Sequence, residues 1–494
     1  MLSLKKMAKK KENKGKKFYI STALPYVNSR PHLGFALEII QADVLARYHR
    51  NLGEEVFFLT GTDENGLKIA RAAEEAGVPV EKFAKKNADA FYKLKKLLNL
   101  SFDDFIRTTE ERHIKAVQKL WKAGKKDIYK KKYRGLYCVG CEQFYKGNEL
   151  VDGLCPEHRT KLELIEEENY FFKLSEYEKQ LRGLIEKDVL KITPSTRKNE
   201  ILGFLDKGLE DICVSRSAER ARNWGIPVPD EPGQKIWCWF DAVVNYISAL
   251  GYGADDENFA QWWQENDNKL HVIGKGILTF HALYWPAALL SAGLALPNNL
   301  FVHGYVTVAG QKMSKSLGNI VDPAGLVRKY GTDAVRYFFL REASPFDDSD
   351  FTMEKFEDRY NADLAKGLGN LVARVIALAA KLKIKNEKLK ITIENLKIKG
   401  EIGSAKENCE KALEEFKFNE ALQATWELIG FCDRYIEQEK PWEDAENKSG
   451  VINDLLFAIG EIAVLINPFL PETSQKIIRQ LQSLESAPLF PRLD

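Results

Sequence analysis

Apolar and polar positions follow two rhythms along this chain, and the change of rhythm divides it. Lys17 to Leu24 (KFYISTAL) is an apolar-rich run that predicts a buried strand. A loop rich in Pro, Asn and Gly follows, and then helical spacing from about His32 to His49. Glu55 to Thr60 (EVFFLT) predicts a second strand, ending in the polar turn Gly61-Thr62-Asp63-Glu64-Asn65-Gly66. Helical patterns run from Leu67 to Ala76 and from Val80 to Leu98. Strand, helix, strand, helix is how a parallel, doubly wound sheet begins. A Lys/Tyr-rich stretch from Tyr129 breaks the pattern until about Pro232. Strands are then predicted at Ile236 to Phe240, Leu270 to Ile273 and Asn299 to His303, with a helix over Gly276 to Leu290. After Asp348 long amphipathic helices take over, at Met353 to Leu382, Ser404 to Phe416, Asn419 to Glu439 and Gly450 to Ile466. The Lys/Ile/Glu-rich stretch over 383–400 predicts a surface connection.

The expected architecture is therefore α/β: a Rossmann-type doubly wound parallel sheet split by an insertion, followed by an all-α helical bundle. Residues 18–128 and 233–305 form the two halves of the sheet domain and 129–232 the insertion. Residues 306–352 connect it to the helical domain, 353–494. Residues 1–17 form a basic, disordered tail.

Composition narrows the partners more than the fold. The 494 residues are 45% hydrophobic and 29% charged, which excludes a wholly disordered chain. Lys and Arg total 73 against 71 Asp and Glu, so any nucleic-acid surface must be local. No uninterrupted apolar stretch reaches the roughly 18 residues of a membrane span; Ile462 to Leu470 is broken by Asn467 and Pro468. The first 17 residues hold eight lysines and no apolar segment, unlike a secretory signal. Seven cysteines, an odd number, with Cys213, Cys238, Cys409 and Cys432 scattered, fit a reduced cytoplasmic compartment. A soluble, cytoplasmic chain is expected.

Three segments carry candidate chemistry. Pro25 to Gly34 (PYVNSRPHLG) joins a strand to a helix at the carboxyl end of the predicted sheet, where nucleotides bind. His32 can donate to phosphate oxygens there, and Gly34 lets a nucleotide approach the backbone. Gly310 to Asn319 (GQKMSKSLGN) combines two lysines and two serines between glycines, a phosphate-seeking loop. Either segment alone reads as an ordinary turn. Two such loops at strand ends of one sheet do not. Finally, Cys138-x2-Cys141-x13-Cys155-x2-His158 has the spacing of two zinc knuckles closing one tetrahedral site. Four protein ligands leave no open position, so such a zinc is structural.

The pair PHLG and KMSKS resembles the two signature motifs of the class I aminoacyl-tRNA synthetases. STALPYVNSRPHLG, GTDENG, YCVGCEQFY, WCWFDA, VHGYVTVAGQKMSKSLGNIVDP and PFDDSDF resemble, more narrowly, the methionyl-tRNA synthetase family. These words span Ser21 to Phe351, and a weaker match continues beyond. The resemblance implies activation of L-methionine by ATP to methionyl-adenylate, and transfer to the 3′ end of tRNA(Met), initiator included. It implies His32, Lys312 and Lys315 as catalytic residues. Gly34, Gly274, His303 and Gly304 join those three in binding ATP, with Mg2+. Ala23, Leu24, Tyr26, Trp239, Ala242, Val243, Tyr246, Ile277 and His281 are implied to line the methionine slot, with Asp63 on the α-ammonium. The insertion is implied to hold its zinc near the tRNA acceptor end, and 306–352 to contact the stem. Asn370, Arg374 and Trp442, from composition alone a surface pair and a packing tryptophan, become contacts to the CAU anticodon.

Departures and alternatives follow from the same residues. Phe35 stands where the family usually has histidine, and Gly276 where it usually has an aspartate for the ATP ribose. A leucyl, isoleucyl or valyl enzyme would need a much larger editing insertion than about 100 residues. A cysteinyl enzyme would place its zinc in the amino-acid pocket. A tRNA-binding relative without catalysis would not need His32, Asp63, Lys312 and Lys315. The chain stops after the helical domain, without the appended tRNA-binding barrel through which relatives often dimerise, so a monomer is expected.

Overall fold

A computed structural model describes residues 13, 15–157, 159–254, 256–308, 310–312, 321–381, 395–444 and 448–492. The chain forms two compact units. One comprises Met1–Pro31, His49–Lys95 and Ser101–Val302; the other comprises His32–Tyr48, Lys96–Leu100 and His303–Asp494.

The first unit is built on a six-stranded sheet in the order Asp104–Arg107, Glu55–Thr62, Lys17–Thr22, Lys269–Gly274, Asn299–His303, Lys191–Thr193. Lys17–Thr22 pairs in parallel on both sides, Ile20 opposite Phe58 and opposite Leu270. The strand order reverses there, so the loops after Thr22 and Gly274 flank the crevice where doubly wound sheets bind ligands. Phe18, Tyr19 and Ile20 are buried, as an apolar run predicts. The polar Ser21 and Thr22 are buried too, with partners: Ser21 Oγ lies 2.6 Å from His271 Nδ1, and Thr22 Oγ1 lies 2.7 Å from Thr60 Oγ1. Gly61 is required by close strand approach, because a Cβ there would lie 1.9 Å from the Ile106 carbonyl oxygen.

Two strands of this sheet escaped the sequence reading. Asp104–Arg107 and Lys191–Thr193 are too short to show a period, and the second lies inside the segment expected to be an insertion. It nevertheless closes one sheet edge, Leu300 opposite Ile192. The strand expected at Ile236 to Phe240 is corrected. A strand ends at Ile236, and Cys238–Ala242 is helical. A five-residue apolar run fits either conformation, and only its neighbours decide. The insertion has its own antiparallel sheet, ordered Gln143–Tyr145, Ile128–Cys138, Glu163–Phe172, Ile212–Cys213.

The second unit is mainly helical. Met353–Arg359 leads through a π-helical stretch, Tyr360–Gly369, into Asn370–Lys381. Leu396–Glu414, Phe418–Glu439, Ser449–Ile466 and Pro471–Ser483 follow. The expected surface connection therefore ends earlier. Asn395 accepts from the Lys397 and Ile398 N–H groups and caps a helix five residues before Gly400. Among the described residues one helix, Ser449–Ile466, is by length and composition apolar enough to cross a bilayer, with Asp454 and Glu461 interrupting its apolar run. Here it buries Ile452, Leu455 and Ile459, and it also buries Asp454 and Glu461, the latter paired with Lys406. That is a core helix of the bundle. Arg336, fully buried in this unit, binds Asp43 at 2.8 Å and donates to the carbonyls of Phe469, Pro468 and Leu98. Its charge is matched and its donors are used, which a buried guanidinium requires.

Candidate active site

At the carboxyl end of Glu55–Thr62 the chain turns through Asp63, which bridges to Tyr26 in the loop after the first strand. Val27 N–H donates to the Asp63 carbonyl and Asp63 N–H to the Pro25 carbonyl. These bonds pin the two strand-end loops to each other. The Asp63 side chain is 2% exposed. Its Oδ1 accepts from Asn65 N–H at 3.2 Å and from the Thr108 hydroxyl at 3.4 Å. Burial pushes its pKa well above the carboxylate range, and the Asn65 bond opposes this. An ammonium group placed against it would offset that desolvation.

Beside Asp63 lies a cluster of packed aromatic rings, the candidate slot. Trp239 stacks on Phe280 at 4.0 Å, and Tyr26 meets Trp239 edge-on at 5.8 Å. Tyr246 stacks on His271 at 4.0 Å and its carbonyl accepts from the Tyr19 hydroxyl. The structure brings Ala23, Leu24, Tyr26, Trp239, Val243, Tyr246 and Ile277 into one apolar cluster. Ala242 is buried in the same stretch of chain. His281 Nδ1 lies 2.9 Å from the Ile277 carbonyl, so Nδ1 carries the hydrogen and Nε2 accepts from the Tyr246 hydroxyl at 2.7 Å. Burial lowers its pKa to about 4, and the ring is neutral. A neutral, largely aromatic slot with one polar bond suits a thioether side chain.

The zinc candidates Cys138, Cys141 and Cys155 place their sulfurs within 4.8 Å of one another. Cys141 Sγ and Cys155 Sγ are 3.5 Å apart. Zinc–sulfur bonds of about 2.3 Å set tetrahedral sulfurs about 3.8 Å apart, so the trio fits the ion. His158 lies outside the described residues. The same loop holds the slot: the Cys141 carbonyl accepts from Trp239 Nε1 at 3.1 Å and the Glu142 carbonyl from Trp237 Nε1 at 2.6 Å.

The phosphate-loop candidates of the second unit are placed as follows. His32 Nδ1 accepts from Gly34 N–H at 3.1 Å, which leaves Nε2–H as the free donor of a neutral ring. Burial lowers the pKa of His32. His303 Nδ1 lies 2.7 Å from the Gly304 carbonyl and Nε2 lies 2.9 Å from Glu38 Oε2. Gly304 cannot carry a side chain, because a Cβ would fall 2.1 Å from the Asp347 carbonyl oxygen. Lys312 sits in a two-residue strand opposite Thr307. Asp350 fixes the base of that hairpin, accepting from Gly310 N–H and the Thr307 hydroxyl at 2.7 Å each. Lys315 lies outside the described residues. Gly274 caps a short 3-10 turn at the end of its strand in the first unit. Phe35 is buried and Gly276 exposed.

Of the anticodon candidates, Arg374 and Trp442 are brought together, the guanidinium 5.9 Å from the indole centroid. Trp442 is 42% exposed, and Arg374 also binds Glu437 at 2.7 Å. Asn370 is half-buried one turn before Arg374. Sequence reasoning missed Asp241, His113 and Asp350. Asp241 and Asp350 lie within WCWFDA and PFDDSDF, but only the fold gives these residues their partners.

A family model described as tRNA synthetases class I (M) matches residues 18–163 and 158–376, and one described as the anticodon-binding domain of tRNA ligase matches 395–492. The sheet, the two signature loops and the helical domain thus define a class I aminoacyl-tRNA synthetase. A methionine–tRNA ligase of Thermotoga maritima is 40% identical, the match covering 96% of this chain and 76% of the relative. One of a Nostoc species is 42% identical, covering 95% and 91%. A solved structure of Mycobacterium tuberculosis methionyl-tRNA synthetase in complex with methionyl-adenylate superposes with a TM-score of 0.89 at 36% identity, covering 97% of this chain and all of that one. The chain belongs to the methionine–tRNA ligase family, and its activity is the joining of methionine to tRNA at the expense of ATP.

Proposed function

We propose that Asp63 and the aromatic slot select methionine and that the two signature loops drive its activation. The observation supporting this most strongly is the buried Asp63 carboxylate at a strand end, beside the aromatic groups Tyr26, Trp239 and Tyr246. Asp63 takes the α-ammonium, and the slot takes the thioether side chain. The methionine carboxylate attacks the α-phosphate of ATP in line and pyrophosphate leaves. Positioning and charge stabilisation supply most of the rate. His32 donates Nε2–H to the phosphates, while Lys315, helped by Lys312, neutralises the leaving pyrophosphate. Gly34, Gly274, His303 and Gly304 hold ATP, with Mg2+ on its phosphates.

Cys138, Cys141, Cys155 and His158 hold one zinc ion, which when bound fixes the loop behind Trp237 and Trp239. Asn370, Arg374 and Trp442 read the tRNA(Met) anticodon, initiator included, with Trp442 stacking on a base. The enzyme acts as a cytoplasmic monomer.

Asp63→Asn should raise the KM for methionine by roughly two orders of magnitude, the scale of leaving a buried charge unpaired. Its KM for ATP should stay near that of the parent. Lys315→Ala should lower the kcat of pyrophosphate exchange by roughly 10²–10³-fold. An unchanged methionine KM in the first variant, or a purely KM-based effect in the second, would overturn these assignments.

A further inference from the structure

Behind Asp63 lies a chain of buried polar groups that neither binds the phosphates nor lines the slot. Asn65, 4% exposed, donates its backbone N–H to Asp63 and its side-chain Nδ2 to Asp241 Oδ2 at 3.2 Å and to the Thr108 carbonyl at 3.3 Å. Asp241 is fully buried on the helix Cys238–Ala242, the element that carries Trp239 and Ala242 into the slot. Its second oxygen, Oδ1, makes no hydrogen bond; it lies 3.7 Å from Nε2 of His113, which makes none either. His113 is fully buried, and its other nitrogen, Nδ1, lies 2.9 Å from Ser248 Oγ.

The proton arrangement follows from the outer end. The Ser248 hydroxyl donates to the Asn245 carbonyl at 3.2 Å, so its oxygen accepts from His113 Nδ1–H. A neutral His113 then presents the Nε2 lone pair to Asp241. Burial lowers the His113 pKa to about 3, with the Arg112 charge adding to this and the Asp241 main chain opposing it. Burial raises the Asp241 carboxyl, and the Asp63 charge adds to this. A lone pair is repelled by a carboxylate and attracted by a carboxylic acid, and at 3.7 Å this contact is electrostatic, longer than a hydrogen bond. Both atoms are buried without a hydrogen-bond partner and lie 3.7 Å apart.

We propose that His113 is a positioning residue for methionine binding: it holds Asp241, which orients Asn65 and thereby the Asp63 carboxylate and the slot helix together. The inference rests on the assignment of Asp63 to the α-ammonium. Asp63 then faces methionine as a fixed carboxylate, and neither Asn65 nor the helix under Trp239 has to be ordered when the substrate arrives.

The test is methionine binding by calorimetry, with KM values for methionine and ATP from pyrophosphate exchange and the melting temperature of each variant. His113→Phe removes both ring nitrogens and should weaken methionine binding roughly tenfold, the size of one or two hydrogen bonds. His113→Gln, whose amide again sets a polar group against Asp241, should recover most of that loss. Asp241→Leu should behave like His113→Phe, and Asp241→Asn, which keeps an acceptor for Asn65 and a donor facing His113, should recover affinity that Asp241→Leu loses. The KM for ATP should not follow. Should His113→Phe fail to fold, the Asp241 pair carries the test. Equal losses in Asp241→Leu and Asp241→Asn, or methionine and ATP constants moving together, would overturn the proposal. Asp63→Asn measured alongside separates the two claims. If it leaves methionine binding intact, the ammonium assignment fails; if it abolishes binding while His113→Phe does not, only the positioning role fails.

Discussion

His281 shows how much of this site is decided by where one proton sits. Its Nδ1–H is committed to the Ile277 carbonyl, so Nε2 must accept from Tyr246, and protonation would set two donors against each other. The unfolded chain takes up a proton near pH 6.5, while the folded ring resists until about 4. The stabilisation from keeping this ring neutral is therefore complete above pH 6.5 and is lost as pH falls towards 4. Asp63 and Asp241, whose pKa values are raised, contribute slopes of the opposite sign. The difference between the parent and His281→Gln isolates the histidine. Denaturant unfolding at a series of pH values should show the parent losing ground by about 1.4 kcal/mol per pH unit below 6.5. A difference independent of pH between 7 and 5 would mean that the ring is not held neutral.

The knuckle loop, at the scale of elements, does two things. Its sulfurs fit a zinc ion, and its Cys141 and Glu142 carbonyls hold the indoles of Trp239 and Trp237. Cys141→Ser should bind less than one zinc per chain by atomic absorption and raise the KM for methionine severalfold, with adenylate formation partly retained. Stoichiometric zinc in that variant would exclude Cys141 as a ligand. Legibility in the sequence follows element length. Lys17–Thr22 and Glu55–Thr62 announce themselves because they are long, apolar and bounded by turn residues, and the loop after the first, paired with Gly310 to Asn319 far along the chain, pointed to the nucleotide crevice. Lys191–Thr193 carries no period, and WCWFDA suits strand and helix equally, so tertiary pairing decided both. The polar chain behind Asp63 was illegible for another reason. Asn65 and Asp241 are 176 positions apart, and neither word hints at the other.

For the whole molecule, the methionine-slot candidates lie in the first unit and the anticodon candidates in the second, which also carries His32, His303 and Lys312. Methionine activation needs no tRNA, so a residue that only reads the anticodon should affect one reaction and spare the other. Trp442 is exposed beside Arg374, and in the proposed role it stacks on a base, a contact worth about 1–3 kcal/mol. Trp442→Ala should lower aminoacylation kcat/KM by roughly 10- to 100-fold and leave pyrophosphate exchange near that of the parent. A parallel loss of both would make Trp442 a packing residue.

The central claim is that Asp63 and the aromatic slot form a methionine site in an aminoacyl-tRNA synthetase, and amino-acid-dependent ATP–pyrophosphate exchange tests it most directly. Measured with each standard amino acid in turn, exchange should be supported by methionine with a kcat/KM roughly 100-fold or more above those for leucine, isoleucine and cysteine. Exchange with none of them, or with leucine or cysteine as well as with methionine, would contradict it.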